Sequence, residues 1–422
     1  MKKLLLMVPM LHQGGFERVC VQTARLLQGT FDVTILIFSD KDINYDVTGL
    51  HIINIDVPSV PGKAGKLRNV LKRVRRVRAL KKQNRYDISY SFGSSANLIN
   101  VFTRTTEKVV TGLRCQTDLE EPRQVRLFCK RSDRVLSCSK EIVDELEQDF
   151  GYKRSTYIYN PLAVEEINER AEEKISDFPF PCGDEDLKVI CSLGRDDRIK
   201  GFWHLVKAFS LVHERLPQAR LMILGAGRFN GCRELAEKLG VGDVTAFPGV
   251  RKNPFPYAAK CDLFLLPSNR EGFPNALLEG MALGRPVIAA DCETGPREIL
   301  LSDVQYQMLS KGKLTAEEEE GAGARGARAC APSESRRSVK GIVRGTYGFL
   351  VPDMDDHEDY DAANITEDDR ILAKAMLQML EDEELQRHYS EAAKERALTY
   401  TPDRYRQALT DTLTDILENR VL

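Results

Sequence analysis

PSNREGFPNALLEGMALGRPVIAADCETGPRE, residues 267–298, follows directly on the apolar run Asp262 to Leu266 (DLFLL), and the two are read together. The apolar run has the length and composition of a buried strand. Ser268-Asn269-Arg270 is a polar turn, and Asn275 to Leu283 carries helical periodicity. Pro274 suits the first helical turn, where its missing N–H would have no intrahelical partner. A strand that passes through a short loop into a helix is half of an α/β repeat. The free amides of such a helix start lie beyond the strand's carboxyl end, where open α/β sheets bind anionic ligands.

Two carboxylates frame this corner. Glu271 lies in the loop, and Glu279 lies one turn inside the helix on the face of Asn275. Together they suit two separated sets of hydroxyls with a phosphate held between them against the amides, which is the shape of a sugar nucleotide. The same spacing also describes a glutamate favoured by the helix dipole and an unrelated surface glutamate. Other stretches must decide between these readings.

The alternation extends in both directions. Lys3 to Val8 reads as a strand, Gly15 to Leu27 as a helix and Val33 to Phe38 as a strand, with further strand-like runs through Thr156 to Tyr159. A second series begins at Val189 to Leu193 and continues through Arg220 to Leu224, Val244 to Phe247, Asp262 to Leu266 and Val287 to Ala290. Such alternation implies parallel sheets covered by helices on both faces. With 422 residues and 42% hydrophobic content the chain can bury two cores. The expected division is a Rossmann-like domain over residues 1–160, a link over 161–187 rich in acidic residues, Pro and Gly, and a second Rossmann-like domain over 188–400. Residues 401–422 form a terminal helix, and the polar, Gly-Ala-Arg-rich stretch 315–340 is expected to be a disordered insertion.

Composition excludes several classes. A formal net charge of −2 gives no general attraction to nucleic acid. Ten scattered cysteines without a C-x-x-C pair form neither a zinc ladder nor a secreted disulfide framework, so a reducing cytoplasm fits best. The six histidines are isolated, and no H-E-x-x-H or G-x-S-x-G occurs. The expectation is therefore no metal centre and no cofactor. The opening MKKLLLMVPM is short, contains Pro9 and runs straight into Gly14-Gly15, which marks a first strand rather than a leader. No stretch reaches the roughly 20 apolar residues of a membrane span.

One region is strongly cationic. Lys63 to Arg85 holds eleven basic side chains and no acidic one, with Leu67, Val70, Leu71, Val74 and Val77 at helical spacing. This predicts a basic amphipathic helix. Its exposed cations, Lys72, Arg73, Arg75 and Arg76 among them, suit either a plain solvated face or an anionic membrane or lipid diphosphate. No aromatic residues interleave the cations as they would on a nucleic-acid surface.

Cys191-Ser-Leu-Gly-Arg195-Asp-Asp-Arg-Ile-Lys200-Gly201 stands where the second series passes from first strand to first helix. Arg195 can fork onto phosphate oxygens and Lys200 can add a point charge. Gly225-Ala-Gly227-Arg-Phe-Asn-Gly231 imitates a dinucleotide fingerprint, but its third glycine comes one residue late; these glycines are read as backbone turns beside a ligand cleft. Gly14-Gly15 ends the chain's first strand and lets backbone approach a phosphate, or simply makes a tight turn.

Taken together, Gly194-Arg195 to Lys200-Gly201, Phe247-Pro-Gly249-Val250, and Arg270-Glu271-Gly-Phe-Pro-Asn-Ala-Leu-Leu-Glu279 resemble the retaining glycosyltransferases of group 1, family 4. Asp133 to Lys140, Tyr159-Asn160-Pro161 and the Gly14-Gly15 turn match the same family. The resemblance implies a GT-B architecture of two Rossmann-like α/β/α domains facing a cleft, with the last helix crossing back to the first domain. It implies a nucleoside diphosphate sugar as donor, with UDP the expected nucleotide, and a glycan or lipid-linked saccharide as acceptor. Arg195 and Lys200 would hold the diphosphate and Glu279 the ribose. Glu271 would hold the transferred sugar with amides from Gly272, Phe273, Asn275, Ala276 and Leu277, while Val250 and Arg251 would lie near the base. Transfer would proceed with retention and without an obligatory metal. Where relatives place a histidine beside the donor sugar, this chain has Arg114, which would take over that contact. Two alternatives share the fold: a sugar-nucleotide epimerase, and a module that binds donor without turning it over.

Overall fold

The computed structural model describes residues 1–12, 14–41, 43–181, 186–313 and 338–420. Most of the expected insertion at 315–340 lies outside the described residues. In chain order the strands are β1 (Lys2–Val8), β2 (Phe31–Ile37), β3 (His51–Asn54), β4 (Ile88–Phe92), β5 (Lys108–Leu113), β6 (Arg134–Ser137) and β7 (Ser155–Tyr157). They continue with β8 (Lys188–Leu193), β9 (Ala219–Leu224), β10 (Thr245–Gly249), β11 (Leu263–Leu266), β12 (Val287–Ala290), β13 (Val343–Arg344) and β14 (Phe349–Val351). The helices are α1 (Gly15–Leu27), α2 (Lys63–Asn84), α3 (Ser94–Phe102), α4 (Pro122–Arg131), α5 (Lys140–Gln148), α6 (Val164–Ala171), α7 (Phe202–Arg215) and α8 (Asn230–Lys238). After them come α9 (Phe255–Ala258), α10 (Asn275–Ala282), α11 (Pro296–Leu300), α12 (Asp303–Ser310), α13 (Glu367–Glu381), α14 (Glu383–Ala397) and α15 (Pro402–Leu417).

The chain divides into two units. The first comprises Met1–Pro161 with Tyr400–Leu422, and the second comprises Leu162–Thr399. In the first unit seven strands lie in the order β3-β2-β1-β4-β5-β6-β7, all parallel. Strand β1 shows why the sheet needs cover on both sides: Leu4, Leu6 and Val8 face α1 and α15, while Leu5 and Met7 face the core beneath α2 and α3. From α15, Tyr405, Leu409, Leu413 and Ile416 complete the first of these cores, and the Tyr405 hydroxyl lies 2.7 Å from that of Thr23.

The second unit holds the order β10-β9-β8-β11-β12-β14-β13, parallel except for the β13–β14 pair. In both sheets the connections wind one way from the first strand and then the other. This puts a topological switch point between β1 and β4 in one unit and between β8 and β11 in the other, the place where open α/β sheets receive ligands.

Two expectations are corrected by the packing. The stretch read as a link carries α6, which is acidic on its outer side but buries Val164 and Ile167 within the second unit. Asn253 donates to the Arg170 carbonyl at 2.7 Å, and Arg251 pairs with Asp177 at 2.9 Å, so much of the stretch is fastened to that unit. In α2, Val70, Val74 and Val77 pack inward as expected, whereas Leu67 and Leu71 stay 64% and 63% exposed. The inward face instead includes Asn69 and Lys81.

Candidate active site

The loops after β8 and β11 meet at the second unit's switch point. Asp197 begins a single 3-10 turn, Arg198–Lys200, its carboxylate accepting from the Ile199 amide at 3.3 Å. Gly201 then turns left-handed, with φ of 60°, and a side chain there would lie 2.4 Å from the Pro267 carbonyl oxygen. Glycine is therefore required for the two loops to touch. The Asn269 amide donates to the Ile199 carbonyl at 3.0 Å, closing the seam.

Across that seam Lys200 Nζ meets Glu271 Oε1 at 2.7 Å, with side chains 18% and 10% exposed. Residues 71 apart in sequence thus form one charged pair at the mouth of the crevice. The loop carrying Glu271 is pinned from behind: Thr294 Oγ1 donates to the Glu271 carbonyl at 2.5 Å. Helix α10 starts at Asn275, after an extended Pro274, and presents its first amides to the same region. On α10, Leu277 and Glu279 are buried while Asn275 and Ala276 are half-buried; Gly272 and Phe273 are buried in the preceding loop.

The remaining candidates are placed less uniformly. Arg195 is exposed and lies 3.6 Å from Asp197, so its guanidinium can reach an incoming anion. Val250 is exposed, whereas Arg251 is committed to Asp177, to the Tyr257 hydroxyl at 3.0 Å and to the Pro248 carbonyl at 2.6 Å. The Gly225–Gly227 turn packs on the Arg195 loop: a Cβ at Gly225 would stand 1.7 Å from the Gly194 carbonyl oxygen. Gly225 and Gly227 serve loop apposition, whereas a Cβ at Gly231 would meet the Tyr360 ring at 2.6 Å.

In the first unit, Gly14 and Gly15 open α1 at the end of β1. Arg114 is 8% exposed, and its guanidinium bonds the Tyr90 hydroxyl at 3.2 Å, bonds the Asn160 side-chain carbonyl and lies over the Phe92 ring. Those bonds hold its head group inside the unit, so a contact with sugar would require it to leave them. Lys72 and Arg75 of α2 are exposed, but Arg73 and Arg76 reach back to the backbone after β3: Arg73 to the Val57 carbonyl at 2.8 Å, Arg76 to that of Asp56 at 3.0 Å.

An acidic loop over residues 353–361 adjoins these residues. Asp356 pairs with Arg198 at 3.1 Å and Arg270 at 3.5 Å. Nearby, His204 bonds Asp369 at 2.6 Å and the Asp355 carbonyl at 3.0 Å, and Lys207 pairs with Asp359 at 2.8 Å. The signal is present as acids at 353–361 and donors at Arg198, His204 and Lys207, but roughly 150 residues separate the partners. Burial raises the Asp353 carboxyl to about 7, with Asp291 and Glu293 adding to the rise and Arg270 opposing it. Among the described residues no group of three His, Cys, Asp or Glu side chains is arranged to hold a metal ion.

Two parallel-dominated Rossmann-like sheets, each with its own switch point, make this a protein of the GT-B class. Two family models match, that of glycosyl transferases group 1 over residues 187–323 and that of Glycosyltransferase Family 4 over residues 13–166. The chain belongs to the group 1, family 4 glycosyltransferases. It is 28% identical to an uncharacterised glycosyltransferase of Methanocaldococcus jannaschii, over 63% of this chain and 59% of that protein. It is 27% identical to an N-acetylgalactosamine-N,N'-diacetylbacillosaminyl-diphospho-undecaprenol 4-alpha-N-acetylgalactosaminyltransferase of Campylobacter jejuni, over 73% of this chain and 86% of that protein. The chain therefore spans about three fifths of the archaeal relative and most of the bacterial one. Among solved structures, Anabaena HepE in complex with UDP aligns with a TM-score of 0.70 at 17% identity, covering 98% of this chain and all of that one.

Proposed function

We propose that the chain transfers a sugar, with retention, from a UDP-linked donor to a surface glycan or lipid-linked saccharide at the cytoplasmic side of a membrane. The observation that carries this reading is the Lys200–Glu271 pair spanning the β8–β11 switch point beside the start of α10. In this reading Arg195 and Lys200 take the diphosphate and Glu279 the ribose, while Val250 and Arg251 flank the base. Glu271 positions the transferred sugar and does not attack it. The charge that grows on the departing diphosphate meets fixed donors of the second unit, namely Arg195, Lys200 and the first amides of α10. No metal is required for that neutralisation. Family membership and the UDP held by HepE support the choice of donor.

Calorimetry across UDP-, GDP-, ADP- and TDP-linked sugars tests the donor site. One nucleotide should bind, and Arg195→Ala and Glu279→Ala should each weaken it by roughly 10- to 100-fold, the worth of a charge-assisted hydrogen bond. Folded protein that binds none of them would overturn the assignment.

The acceptor side of the reading rests on α2. Leu67 and Leu71 stand one turn apart on the solvent face, with Arg68, Lys72, Arg75, Arg78 and Lys82 exposed around them. Apolar groups among cations, with no acid in the helix, suit the surface of an anionic bilayer. Vesicles containing anionic lipid should sediment the protein at low salt. Leu67→Ser with Leu71→Ser should reduce that binding at least about tenfold, since each leucine withdrawn from lipid forfeits about 1.5 kcal/mol or more. Equal sedimentation of the variant would count against insertion.

A further inference from the structure

The seam between the β8 and β11 loops is crossed by two sets of charges. One is the Lys200–Glu271 pair at 2.7 Å. The other runs through Asp356, from the acidic segment after β14. Its Oδ2 atom lies 3.1 Å from Arg198 Nη1, in the β8 loop, and 3.5 Å from Arg270 Nη2, in the β11 loop. A single carboxylate oxygen thus holds a cation from each loop. Arg198 also donates to the Asp356 backbone carbonyl at 2.7 Å, and Arg270 to the Asn269 carbonyl of its own loop at 2.7 Å. The segment that carries Asp356 is itself fastened to α7: the Asp355 carbonyl lies 3.0 Å from His204 Nε2, and Asp359 pairs with Lys207 at 2.8 Å. Without the Asp356 charge, two guanidinium groups would be left facing one another as like charges across the seam. Arg270 is joined to Glu271 by one peptide bond, and beyond it the Glu271 carbonyl is held by Thr294. All of these groups lie in the second unit.

We propose that Asp356 is a positioning residue for transfer: by bridging Arg198 and Arg270 it fixes the loop that carries Glu271 against the β8 loop. This rests on the reading above, in which Glu271 holds the transferred sugar. A group that orients the reacting sugar loses rate steeply when its loop shifts, even where the contacts that hold the loop add little to overall stability. Asp356 is assigned no contact with the donor and acts through Arg270 and Glu271.

Asp356→Asn keeps the side chain's size and removes its charge. With whichever UDP-sugar the wild type turns over fastest, kcat should fall about three- to tenfold, within what two partly exposed ion pairs can supply. The Kd for UDP should rise by no more than about twofold, since the charge removed is a negative one beside the cations. The melting temperature should fall by no more than about 4 °C. Added to Glu271→Gln, the same change should cost less than about twofold in kcat, because its effect passes through Glu271. Hydrogen–deuterium exchange supplies an arm that needs neither turnover nor ligand. The Asn269 amide, which donates to the Ile199 carbonyl across the seam, should exchange several-fold faster in Asp356→Asn than in the wild type. Four results overturn the proposal while leaving the donor site standing: an unchanged kcat, a loss that multiplies in full with that of Glu271→Gln, a UDP Kd that rises as far as kcat falls, or unchanged exchange at residues 268–273. A wild type that binds no nucleotide overturns both.

Discussion

Lys200→Ala will lower the kcat of sugar transfer by roughly 10²- to 10³-fold, the loss expected when a preorganised donor to a developing negative charge is removed. Two effects act in the same direction. The departing diphosphate loses a cation, and Glu271 loses its partner at 2.7 Å in a pocket where it is 10% exposed. Glu271→Gln should be comparably slow for a different reason, because a neutral amide holds neither Lys200 nor the sugar hydroxyls as firmly. The two side chains work as one unit, so Lys200→Ala combined with Glu271→Ala should be little slower than either single change. Initial rates of UDP release decide the matter. Single variants within about threefold of the wild type, with native melting temperatures, would refute the role given to this pair.

The largest expected effect on stability lies in the first unit. Lys81 is fully buried and meets Glu107 Oε1 at 2.8 Å, and its Nζ also donates to the Asn100 side-chain carbonyl at 2.6 Å and to Ser89 at 3.2 Å. Burial draws the lysine down to about 8, and Glu107 opposes the fall. Asn100 in turn donates to the Ser89 carbonyl at 3.1 Å and that of Val110 at 3.0 Å, tying α2 and α3 to β4 and β5. Lys81→Met strands the Glu107 carboxylate and should cost about 3–5 kcal/mol. Lys81→Met with Glu107→Leu removes both charges and should recover most of that loss. Urea denaturation followed by circular dichroism measures both. A single variant as stable as the wild type would mean that Glu107 finds water when its partner leaves.

How far the sequence could be read depended on how local the determinants were. The strand, turn and helix from Leu263 to Ala282 are contiguous, so period and turn chemistry were enough to place Glu271, Asn275 and Glu279 at one strand end. Arg195 and Lys200 were legible for the same reason, as a loop following β8. Their direct contact with Glu271 depends on which strands lie side by side, and periodicity carries no strand order. Helix α2 shows a different limit. Its valines announced a buried stripe, but Lys81 turns inward because an acid 26 residues away, Glu107, meets it there. That roll leaves Leu67 and Leu71 outside. The family pattern gives no hint that Tyr90 and Asn160, from the strand and loop around Arg114, bond its guanidinium. The helix α6 was hidden by its acids, since only Val164 and Ile167 reveal the buried side.

The chain visits its first unit twice, at the beginning and again from Tyr400 onward. On a ribosome, residues 1–161 therefore emerge long before Tyr405, Leu409, Leu413 and Ile416, which close the core around β1 and α1. The second unit is uninterrupted and has all its residues in hand first. Completion of the fold thus runs against the order of synthesis, and the unit translated earliest waits for the last turns of the chain to be sealed.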